Sequence, residues 1–66
     1  MPDALLRNSK DIVRRLTAEG WTLLRITGSH HHFGKEGVRF IVTVPHPKRD
    51  LPVGTLRAIY RQAGWL

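Results

Sequence analysis

The chain has no cysteine, so it can form neither a disulfide nor a thiolate metal site. Acidic residues are scarce, with five Asp and Glu against eleven Lys and Arg. No apolar run approaches the ~20 residues a membrane helix needs, and the N-terminus lacks a signal-peptide pattern. A cytoplasmic protein with no membrane role is the expectation. Internal repeats, linkers and low-complexity stretches are also missing, which leaves one domain over residues 1–66. A chain of 66 residues buries only about 60% of the surface it exposes when unfolded, so its core must be compact.

What is present in excess is positive charge. The net charge is +6, and from Pro45 onward Lys48, Arg49, Arg57 and Arg61 face Asp50 alone. Such a balance favours phosphate backbones or an acidic protein partner. On charge alone, a merely soluble surface remains the competing reading.

Patterning predicts the elements. Asn8-Ser9 is a good N-cap pair with Asp11 in the first turn, predicting a helix over 9–19 with Ile12, Val13 and Leu16 inward. Pro2-Asp3 offers an earlier start, because Leu5 and Leu6 precede Ile12 and Val13 by seven residues. Gly20 suits the left-handed residue that ends a helix. Residues 21–27 read as a strand, with Thr22, Leu24 and Ile26 on one face and Trp21, Leu23 and Arg25 on the other. Gly28-Ser29 is a turn, 30–34 a second strand, and Gly34-Lys35-Glu36-Gly37 a hairpin connection. Residues 38–44 read as the clearest strand, with Val38, Phe40, Val42 and Val44 on one face, stopped by Pro45. A loop with three prolines then leads to a helix over 52–63, capped by Asp50 or Leu51. Leu56, Ile59, Tyr60 and Ala63 form its buried stripe and Arg57 and Arg61 a neighbouring basic ridge. Gly64 ends it. The order α-β-β-β-α predicts an α+β domain: a three-stranded antiparallel sheet with both helices on one face, the layout of double-stranded-RNA-binding domains.

The densest chemistry lies in Gly28-Ser29-His30-His31-His32-Phe33. On a strand, His30 and His32 share one face and His31 takes the other. A metal would need a third ligand from His46 or a carboxylate, and the spacing matches no zinc signature. Half-buried structural histidines are the stronger rival. RNA cleavage without a metal requires a group to take the 2′-hydroxyl proton, one to protonate the departing 5′-oxygen, and positive charge at the phosphate. Histidine serves either transfer near neutrality, and the N–H groups of Gly28-Ser29 with nearby Arg or Lys can hold the phosphate.

The histidine run, the preceding Glu19-Gly20-Trp21, Val44-Pro45-His46-Pro47, the stretch Asp50-Leu51-Pro52-Val53-Gly54-Thr55-Leu56 and finally Gln62-Ala63-Gly64 together resemble the HicA toxins of bacterial type II toxin–antitoxin systems. The likeness covers nearly everything from Ser9 to Leu66, leaving residues 1–8 as an N-terminal extension. It implies a double-stranded-RNA-binding-like fold, an mRNA interferase that cleaves single-stranded transcripts without a cofactor and arrests translation, and a HicB-type antitoxin that masks its site. It places the functional histidine at His30, with His31 as the alternative, and makes Gly28 the residue that turns the backbone beside it. A non-catalytic RNA-binding module of the same fold is the rival function.

Lys48, Arg49, Arg57 and Arg61 are the candidate phosphate contacts, against the reading of a solvated basic face. Arg25 and Arg39 fall on strands and share the polar sheet face. His46 is a second candidate acid/base group or part of a stiff extended loop. Trp21 and Tyr60 are core residues or stacking platforms, and Trp65 a core lid or a partner contact.

Overall fold

The structure, a computed structural model, describes residues 6–66. Its elements run α1 (Ser9–Ala18), β1 (Thr22–Thr27), β2 (His30–Gly34), β3 (Val42–Pro45) and α2 (Val53–Ala63). The α-β-β-β-α order and the antiparallel sheet, in the order β1-β2-β3, are those the patterning predicts.

Asn8 caps α1 from an extended conformation, and its side chain accepts from the Lys10 N–H. An extended residue at that position separates α1 from whatever precedes it. The earlier start at Pro2-Asp3 falls outside the described residues. Leu6 N–H donates to the Tyr60 hydroxyl at 2.7 Å and Leu51 N–H to the Arg7 carbonyl at 2.9 Å, which ties residues 6 and 7 to the domain. Gly20, with φ +95°, follows the α1 C-cap at Glu19.

Pairing fixes the sheet faces. Phe33 is opposite Val42 and His31 opposite Val44, and Phe33, Val42 and Val44 are buried. Ile12 and Leu16 of α1 and Leu56, Ile59 and Tyr60 of α2 join them in one core cluster, so both helices cover this face. About ten buried side chains of this kind, each worth roughly 1.5–3 kcal/mol, are the main favourable term. His30, His32, Thr43 and Pro45 belong to the opposite face.

Two strand expectations are corrected. A bulge between Leu23 and Arg25 shifts the register of β1, so Leu23 and Ile26 share the helix face and Arg25 takes the other. The strand over 38–44 shortens to Val42–Pro45. A strand needs a ladder partner, and β2 ends at Gly34. Val38 N–H donates to the Lys35 carbonyl in a tight turn, and residues 38–41 run unpaired and exposed. The cap of α2 is Pro52 itself, not Asp50 or Leu51, and no side chain caps it.

Trp65 is a lid. Its indole N–H donates to Glu19 at 2.7 Å, its ring meets Tyr60 edge-on at 5.0 Å, and the Arg15 guanidinium lies 4.0 Å over it. Arg15 also donates to the second Glu19 oxygen at 3.1 Å. The Trp65 bond is the main reason the Glu19 carboxyl is held below its ordinary range, with Arg15 adding to it against some desolvation. Trp21 and Tyr60 are buried core residues.

Candidate functional site

The β1–β2 hairpin closes on Gly28 and Ser29. Gly28 has φ +60° and Ser29 a negative φ, the pattern of a II′ turn with glycine first. A Cβ on Gly28 would meet no atom within 4 Å, so the demand for glycine is conformational rather than steric. This turn delivers the histidines to one end of β2, with His30 opposite Thr27 on one side and Pro45 on the other.

The three histidines then part company. His30 is exposed and lines an open cleft with Thr43, Pro45, Gly54, Thr55, Ala58 and Gln62. The far wall is the 54-58-62 ridge of α2, successive residues four apart along one helix flank. The start of that helix has no acidic residue in its first turn. Its first internal bond is Leu56 N–H to the Pro52 carbonyl, so the N–H groups of Val53, Gly54 and Thr55 have no partner among the described residues. An exposed imidazole thus shares a cleft with the positive end of a helix.

His32 is on the same sheet face but is engaged, its Nδ1 at 3.1 Å from the Thr43 hydroxyl. Desolvation, followed by the charges of Arg25, His30 and His31, lowers its pKa. His31 points to the helix face and meets His46 edge-on, ring centroids 4.9 Å apart. His31 Nδ1 and His32 Nε2 are buried without partners among the described residues. Among the described residues no three His, Asp or Glu side chains converge as a metal set.

His46 continues the β3 ladder one step past its end, its N–H donating to the Ser29 carbonyl at 2.7 Å. Its ring lines a second cleft with Asn8, Ser9, Lys10, Pro47, Lys48 and Arg49. Burial, then the neighbouring His31, lowers the His46 pKa. Lys48 and Arg49 therefore belong with His46 and not with His30. Arg57 and Arg61 line a third hollow with Leu56, Tyr60 and Leu66. The four predicted phosphate contacts are thus divided between two surfaces, and none of them lines the His30 cleft.

Sequence reasoning missed two features. One is the bare N-terminus of α2, signalled by Pro52-Val53-Gly54 with no Ser, Thr, Asp or Asn at the cap position. The other is Ser9, fully buried and bonded to His46 across 37 positions, which no local pattern announces.

The geometry defines a small basic α+β domain of the double-stranded-RNA-binding layout, with a solvent-facing histidine on a hairpin beside a free helix N-terminus. Comparison with known proteins names the class more closely. The family model for the HicA toxin of bacterial toxin–antitoxin pairs matches residues 9–65, and the chain belongs to that family. It is a toxin, and its family implies an antitoxin partner. No curated protein matches the chain. No helix among the described residues is long and apolar enough to cross a membrane.

Proposed function

We propose that this toxin is a metal-independent endoribonuclease that cleaves mRNA and so arrests translation, with His30 as its general acid/base. The observation that carries the reading is the exposed His30 sharing one open cleft with Gly54 and Thr55, which belong to the first turn of α2, where no side-chain cap is found among the described residues. A phosphodiester in that cleft would place its non-bridging oxygens at the helix N-terminus, where partial positive charge meets the charge that grows on the phosphoryl group. His30 takes the proton of the ribose 2′-hydroxyl as that oxygen attacks phosphorus. The P–O5′ bond breaks, the 5′-oxygen leaves with a proton returned by the imidazolium or by solvent, and the products are a 2′,3′-cyclic phosphate and a 5′-hydroxyl end.

Gly28 supports the reading by holding the hairpin that brings His30 to the strand end. His31 is the weaker candidate, because its Nδ1 is buried and its ring is packed against His46. Lys48, Arg49, Arg57 and Arg61 would hold phosphates flanking the scissile one, and a HicB-type antitoxin would cover the site.

The test compares wild type, His30→Ala and His31→Ala on an end-labelled RNA, with circular dichroism as the check on folding. His30→Ala is expected to lose cleavage by about 10²–10⁴, the range of general acid/base help. Wild-type cleavage in that variant would remove His30 from the mechanism.

A further inference from the structure

Ser9 holds the key to His46. Its side chain is fully buried, and its hydroxyl lies 2.8 Å from the Lys48 N–H and 2.7 Å from His46 Nδ1. Lys48 N–H can only donate, so the Ser9 oxygen accepts there. The hydroxyl then has one proton left and, among the described residues, one group left to receive it, His46 Nδ1. Were Nδ1 itself protonated, the Ser9 oxygen would accept twice and its own proton would be buried with no acceptor, a costly state. The arrangement selects the neutral imidazole with its proton on Nε2. Ser9 N–H also donates to the Lys48 carbonyl at 2.9 Å, so the clamp between helix and loop has two further bonds.

Nε2 has no partner among the described residues and is not shut away from solvent. Around it lie the His31 ring from β2 and three cations, Lys10 from α1 and Lys48 and Arg49 from its own loop. Asp50, the nearest carboxylate in sequence, pairs with Arg7 at 3.6 Å. A neutral ring with Nδ1 occupied and Nε2 protonated is neither a base nor a strong acid. It is a fixed hydrogen-bond donor beside three cations, which is what an anion needs.

We propose that the cleft between the start of α1 and the 46–49 loop is a second RNA phosphate subsite, in which His46, held by Ser9 as the Nε2–H form, donates to a phosphate oxygen flanked by Lys10, Lys48 and Arg49. The subsite rests on the RNA-cleaving reading above. It lies on the opposite sheet face from His30, so it binds a phosphate other than the one that is cut. His46 is a binding residue and Ser9 a positioning residue. The lowered His46 pKa agrees with this neutral form.

Long-range ¹H–¹⁵N NMR of the whole protein at about pH 7 reads the tautomer, and fluorescence anisotropy reads affinity for a 2′-O-methylated single-stranded RNA oligonucleotide that cannot be cut. The expected result is His46 protonated on Nε2 alone, with that nitrogen shifting when the oligonucleotide is added. His46→Ala should weaken binding about tenfold, the scale of one hydrogen bond to a charged group. Ser9→Ala should mix the tautomers and weaken binding nearly as much, a change in the ring that a purely structural serine would not produce. Ser9 is buried and its variant can misfold, so exposed Lys48→Gln and Arg49→Gln provide the second arm. Each should lower the salt slope by about one.

A charged ring or an Nδ1–H form would overturn the proposal. So would an unshifted His46 while anisotropy reports binding, and in that case the RNA reading would stand. Loss of both binding and cleavage in the wild type would overturn the two together. Inorganic phosphate binding as tightly as the oligonucleotide would assign the cleft to a free anion. Shifts produced by a glutamate-rich peptide and not by RNA would assign it to a protein carboxylate.

Discussion

The C-terminal lid and the histidine end treat their polar groups in opposite ways. At the lid, Arg15, Glu19 and Trp65 complete one another: both Glu19 oxygens are bonded, the guanidinium covers the indole, and the carboxyl is held ionised. At the other end, among the described residues, two histidine nitrogens are buried without partners (the third such nitrogen is Trp21 Nε1), two imidazoles have lowered pKa values, and the first three N–H groups of α2 have no partner. Satisfied polar networks rigidify a small core. Unsatisfied groups weaken it, and they gather where a ligand can complete them. The domain is held at one end and leaves polar groups unpaired at the other.

The widest split should appear when each end is disabled in turn. His30→Ala should cut cleavage by about 10²–10⁴ with little change in thermal midpoint, since the ring is exposed and makes no hydrogen bond among the described residues. Trp65→Ala should do the reverse, lowering stability by about 2 kcal/mol through loss of the Tyr60 contact, the Arg15 stacking and the Glu19 bond, with cleavage of the folded protein nearly unchanged. Denaturant melts beside cleavage assays check both. If Trp65→Ala cut activity as deeply as His30→Ala, the division between the two ends would collapse.

Glu19→Gln is a finer probe of the lid. The amide still accepts from Trp65, but the ion pair with Arg15 is lost, and both partners are about one-third exposed. The expected loss at neutral pH is about 0.5–1 kcal/mol. In wild type this contribution exists above the ordinary carboxylate range and disappears as pH falls through the lowered Glu19 pKa. The variant should lack that acid-range slope in urea melts.

How far the sequence reached follows the same division. The helices were legible within one or two residues because caps and apolar stripes are local signals, as with Asn8, Gly20 and the Leu56-Ile59-Tyr60 stripe. The second strand was legible from its bounding glycines. Residues 38–41 misled, since Val38-Arg39-Phe40-Ile41 has strand composition, but whether it pairs depends on where β2 ends. The bulge at Leu24 was hidden for a similar reason. Its side chain lies over Gly34, where a Cβ would come within 2.8 Å of Leu24 Cδ1, and that relation is between strands. Motif and strand alternation single out His30 as the candidate, but the cleft it shares with the start of α2, and the Ser9–His46 bond, arise only when distant segments meet.

The smallest expected effect tests the open end through stability alone. His32 and His46 have pKa values below the ordinary histidine value near 6.5, each mainly because burial disfavours the charged ring. In the unfolded chain both titrate near that ordinary value. Between it and the lower native values, the unfolded chain binds more protons than the folded one, so stability must fall as pH falls through this window. The stabilisation is complete above the ordinary histidine range and is lost as pH falls through it toward the lower native values. Glu19 contributes little to this slope above about pH 5.5, because there its carboxyl is almost fully ionised in the folded and the unfolded chain alike. Urea midpoints measured at about pH 7.5 and 5.5 should therefore decrease, and His46→Gln should remove part of the decrease while leaving the share from His32. A midpoint that rises on acidification would mean that these imidazoles gain a partner for their charged form. The histidine end would then be as well satisfied as the lid, and the contrast between the two would fail.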